Sequence, residues 1–110
     1  MIGEIIIMNL NNIMEIGILN NAKIENVNEK TTEKRDLIIF KFTDNTIKYL
    51  DIAAGKELQN NEKVLINHKT KITLLYQNHK IKLENFKKSH TDLDIKLENG
   101  ILKVNKIDNE

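Results

Sequence analysis

A chain of 110 residues with 17 basic and 16 acidic side chains has room for one domain with one modest core, and a formal charge of +1 gives it no overall electrostatic pull on a partner. The absence of cysteine excludes disulfide scaffolds, thiolate metal sites and cysteine nucleophiles together. Isoleucine, asparagine and lysine dominate while proline and tryptophan are absent, the bias expected of AT-rich coding, so the placement of the lysines is more informative than their number.

Residues 2–8 are apolar but few, lack a basic leader and include Glu4, which makes them poor material for a secretory signal. No stretch is long enough to span a bilayer as a helix, and a reducing cytoplasm is the easier setting for a cysteine-free chain. From there the dominant period is two. Strands are expected over residues 15–27, 37–43, 46–52, 63–76, 80–86, 93–97 and 101–107, separated by polar turns, a pattern of small all-β barrels and sandwiches. Residues 53–62, "AAGKELQNNE", read as the single short helix or helical turn.

The charge is unevenly spread. Residues 1–62 hold seven basic and ten acidic side chains, residues 63–90 hold seven and one together with all three histidines, and residues 91–110 hold three and five. Such gathering gives a near-neutral protein an electrostatic face. Within it, "KITLLYQNHKIKLENFKK", residues 71–88, reads as a hairpin turning at Asn78 and His79. That register places Leu74, Tyr76, Ile81 and Leu83 on a core side and Lys69, Lys71, Lys80, Lys82 and Lys88 around Phe86 on the other. Lys69 then faces Lys88, a like-charge pair that an anionic partner would relieve. The plainer reading is a solvated face that keeps the protein soluble.

A second hairpin closes the chain. "DIKLENGILKV", residues 94–104, carries Asn99-Gly100, both tolerant of positive φ, and its register pairs Leu97 with Leu102 and Ile95 with Val104. Its apolar side must be covered, by the rest of the chain or by a second copy.

The order strand, basic loop, strand, strand, short helix, strand, strand over residues 15–88 resembles an oligonucleotide/oligosaccharide-binding (OB) fold. "AKIENVNEKTTEKRDLIIFKFTDNTIKYLDI" followed by "NEKVLINHKTKITLLYQNHKIKLENF" is similar in layout to small single-stranded-DNA-binding proteins of phages and mobile elements. With the periodicity above, the expectation is an all-β fold with small α content in one domain over 1–110, where the resemblance implies a five-stranded OB-like barrel at 15–88 with one short helix and the C-terminal hairpin at 93–107 is extra to it. It also implies a binding face on the second and third strands, flanked by two loops. The first is "NEKTTEKR", offering Lys30, Lys34 and Arg35, with Glu29 and Glu33 lowering its charge. The second is "QNHK", offering Gln77, Asn78, His79 and Lys80.

Binding of single strands also needs flat rings on which bases stack. Of five aromatics, Phe40 and Phe42 share the parity of Ile38 and read as core, while Tyr49 and Phe86 are the stacking candidates. The histidines at 68, 79 and 90 match no common metal spacing, and no nucleophile motif or glycine-rich phosphate loop appears, so neither enzyme activity, metal nor cofactor is expected. The expectation is a protein that binds single-stranded nucleic acid, DNA foremost and RNA next, largely without sequence preference. The competing expectation is a small protein-binding module or inhibitor encoded by a phage or mobile element, with exposed strand edges suited to a protein partner or a homo-oligomer.

Overall fold

Alternating apolar and polar residues make strands along most of the described part of the chain in the computed structural model, which describes residues 2–67, 69–78 and 93–107. In order these are β1 (Ile2–Asn9), β2 (Ile13–Asn26), β3 (Thr31–Phe42), β4 (Ile47–Asp51), β5 (Lys56–Glu57), β6 (Glu62–Leu65), β7 (Ile72–Gln77), β8 (Leu93–Glu98) and β9 (Ile101–Ile107), with a 3-10 turn at Leu10–Asn12. They form two antiparallel sheets. The small one runs β1-β9-β8, and the large one runs β5-β4-β3-β2-β6 with β7 also paired to β2.

The long strand β2 organises the large sheet. Along one side it pairs with β3; along the other its first half pairs with β7 and its second half with β6. Between the halves the chain breaks stride at Asn20 and Asn21. Leu19 faces Leu37 but Ala22 faces Arg35, three steps against two, and Asn21 takes a φ of 55°, in the left-handed region that asparagine tolerates better than most residues. Opposite this bulge, residues 66–67 and 69–71 lie off the strands, with bonds from the Asn67 amide to Thr70 Oγ1 and from the Lys69 amide to Asn67 Oδ1. The single strand expected over 63–76 is therefore two strands on one partner, with Lys23 opposite Leu65 and Leu19 opposite Ile72.

The bulge also keeps Leu19, Ala22 and Ile24 on one face, so the large sheet is buried on both sides. One core joins Ile16, Ile18, Ile38, Phe40, Leu50, Leu75 and Tyr76 to Leu102 and Val104 of the small sheet. The other joins Leu19, Ala22, Ile24, Leu37 and Ile39 to the partly buried Tyr49, Leu58, Val64 and Ile72. This explains "LIIF" at 37–40, where alternation gives way to a run of four buried residues. Each such side chain contributes roughly 1.5–3 kcal/mol on burial.

The C-terminal hairpin forms as expected. Asn99 and Gly100 adopt φ of 52° and 76°, and Leu97 pairs with Leu102 and Ile95 with Val104. Its apolar side is covered by the chain's own large sheet, and β1 adds a third strand against β9.

Three local expectations are corrected. Residues 53–62 are not helical: Asp51 caps a turn through Ala54 N–H at 3.1 Å and its carbonyl takes Gly55 N–H at 2.8 Å, after which β5 pairs with β4 and the Leu58 amide bonds Tyr49. A ten-residue segment holding Gly55 is too short to sustain a helix against those anchors. The basic loop at 28–35 contracts to a tight turn, because Asn26 Oδ1 accepts from both Asn28 and Glu29 and lets Thr31 to Arg35 continue β3, so Lys34 and Arg35 lie on a strand. Leu74 is not on the core side with Tyr76. The chain bulges at Leu75, between the pairs Ile16–Tyr76 and Gly17–Leu74, which buries Leu75 and Tyr76 together and leaves Leu74 exposed. The expected strand 80–86, with Ile81 and Leu83, lies outside the described residues.

Candidate functional site

The break in β2 opens a groove. Residues 20–23 form one wall; Leu65, Asn67 and residues 69–71 form the other. Lys23, Lys69 and Lys71 are exposed around it, and the neutral amides and hydroxyl of Asn20, Asn21, Asn67 and Thr70 fill the spaces between. Lys34 stands directly across the ladder from Lys23, an arrangement that costs stability unless an anion intervenes. Among the described residues none of these four ammonium groups forms an ion pair. The Asp36 carboxylate at the bulge accepts the Asn21 amide at 2.8 Å, which holds the kink. Elsewhere on the large sheet Lys41 is partnered by Glu15 at 3.1 Å and Lys48 by Glu57 at 3.7 Å.

Lysine carries donors and no acceptor, so this cluster suits an anion held by point charges, with amide side chains free to add hydrogen bonds. The expected Lys69 and Lys71 thus line the groove with Lys23, and the expected Lys34 stands across the ladder from Lys23 without lining the groove itself. Lys23 was missed. It lies in the acid-rich half, but the Asn-Asn pair just before it, in the middle of a strand pattern, marks a bulge that could have drawn attention to it.

Arg35 is differently employed. Its guanidinium bonds Asp51 at 3.1 Å and Glu62 at 2.6 Å and also pairs with Glu33. Asp51 ends β4 and Glu62 begins β6, strands on opposite sides of the β3–β2 pair, so the guanidinium ties two strands that do not pair with each other. The Gln59 amide, bonded at 3.0 Å, and then Arg35 hold the Glu62 carboxyl below its ordinary range.

Lys30 occupies the turn before β3, with φ of 56°, exposed and away from the groove's lining. Tyr49 lies half-buried against the second core, in a cleft with Val27, Ile47, Leu58, Lys48 and Lys63 that shares no lining residue with the lysine groove. Burial raises its hydroxyl above the ordinary pKa, against the opposing pull of Lys41. Lys80, Lys82, Phe86 and Lys88 lie outside the described residues, as do His68, His79 and His90. Among the described residues there is no cluster of three ligating side chains that could hold a metal ion, and no helix long and apolar enough to cross a membrane. No family model, curated protein or solved structure matches the chain, so what it binds must be read from the groove's own chemistry.

Proposed function

We propose that the protein binds single-stranded nucleic acid, with single-stranded DNA the principal ligand, through phosphate contacts in and beside the groove at the β2 bulge. The observation that carries this reading is the gathering of Lys23, Lys69 and Lys71 around the groove, with Lys34 across the ladder from Lys23 and no ion pair to any of the four among the described residues. Point charges on flexible stems read phosphates, not base edges, so the binding is largely independent of sequence. Tyr49, half-buried in the neighbouring cleft, is the stacking platform among the described residues, and one base stacked there adds about 1–3 kcal/mol. The Arg35 ties from β3 to β4 and β6 are compatible with the OB-like arrangement proposed for residues 15–88.

Fluorescence anisotropy of labelled single-stranded DNA, single-stranded RNA and duplex over a salt series tests the proposal. Four lysines neutralising four phosphates give a log–log salt slope of roughly −3 on a single strand. Reversing two of them, in Lys69→Glu/Lys71→Glu, cuts that slope by about half and weakens all sequences alike. Binding that ignores salt, or no binding to single strands, sinks it.

A further inference from the structure

Among the described residues β8 bonds to β9 alone, leaving its other edge as the rim of the small sheet. The two-residue turn decides which backbone groups reach that rim. Glu98 and Ile101 flank the turn and exchange hydrogen bonds, as do Lys96 with Lys103 and Asp94 with Asn105, so the amides and carbonyls of Leu93, Ile95 and Leu97 point outward.

We infer that this edge pairs with the same edge of a second copy, antiparallel about a two-fold axis through Ile95. Outward-pointing residues must oppose one another, which restricts the registers to shifts of two residues. With Ile95 opposite itself, Leu93 faces Leu97 and Asp94 faces Lys96 of the second copy, and the two-fold repeats both pairs. Sliding one way sets Lys96 against Lys96 and Asp94 against Glu98; sliding the other way sets Asp94 against Asp94. Like charges directly opposed are destabilising, so the charges that would repel identical edges elsewhere select a single register. Lys96 is exposed and meets Asp94 of its own strand only at 3.7 Å, while Ile95 packs against the first core and would meet its counterpart beside it. The product is one continuous sheet, β1-β9-β8 followed by β8-β9-β1 of the second copy. It stands independently of the nucleic-acid reading.

Sedimentation velocity of the full chain over a concentration series reads the outcome. The parent is expected to show a concentration-dependent dimer. Asp94→Lys and Lys96→Asp are each expected to be monomeric, with unchanged circular dichroism because the exposed pair they break contributes little. Mixed together they re-associate, since the lysines of one variant face the aspartates of the other. A parent that stays monomeric, a dimer that survives either reversal, or a mixture that fails to associate overturns the inference.

Discussion

Gly17 lies in the middle of β2, where an added Cβ would overlap Ile72 Cγ2 and crowd Ile39. Ile72 is β-branched and held in the ladder opposite Leu19, so it yields little. Gly17→Ala is expected to cost about 1–3 kcal/mol in urea unfolding, and Ile72→Ala in the same chain to recover part of that cost, a non-additivity that a double-mutant cycle would read. Glu62 gives a second residue-scale test. Its carboxyl sits below the ordinary value of 4.5 in the folded state, so its contribution is present above that value and lost as the pH falls through the lower folded one. Glu62→Gln should therefore flatten the loss of stability as the pH falls below the ordinary value of 4.5, measured as the shift of the urea midpoint. Neither role is visible residue by residue in the sequence. Arg35 in "EKR" has the look of a phosphate contact, and the two strands whose carboxylates engage it arrive sixteen and twenty-seven positions later.

At the scale of elements, local features were the legible ones. The Asn99-Gly100 turn and the register of β8 on β9 come from two adjacent residues and strict alternation. Gly100→Val is accordingly expected to cost about 1–2 kcal/mol in thermal unfolding: no atom crowds the site, but a φ of 76° is strained for a β-branched residue. Parity failed where the ladder breaks stride. The bulges at Asn20–Asn21 and at Leu75 each reverse the facing of the residues beyond them, so Leu74 falls outside the core and one expected strand becomes two. The helical propensity of residues 53–62 lost to a capped turn whose anchor, Asp51, belongs to the preceding strand.

For the whole molecule, the concentration of basic residues in 63–90 was plain in the sequence, but its extension was not. Lys23 comes from a stretch with an excess of acids and joins Lys69 and Lys71 because the β6–β7 turn falls opposite the β2 bulge, while Lys34 lies across the ladder from Lys23. Long-range pairing of this kind dominates the fold, with the first strand closing on the last, which places the protein among slow-folding β topologies, on the scale of milliseconds to seconds.

That closing seam has a use in engineering. Ile2 stands opposite Ile107, so a short added linker between positions 2 and 107 would close the strands between them into a circular backbone. A ring of this size removes much of the unfolded chain's freedom, a gain of up to about 4–5 kcal/mol by the same entropy that governs a cross-link over about 100 residues. The cyclised protein should unfold at a correspondingly higher urea midpoint than the linear one with an unchanged denaturant slope per surface exposed. Opened instead at the exposed Asn99-Gly100 turn, the ring becomes a permuted chain in which β9 and β1 are consecutive strands of one hairpin.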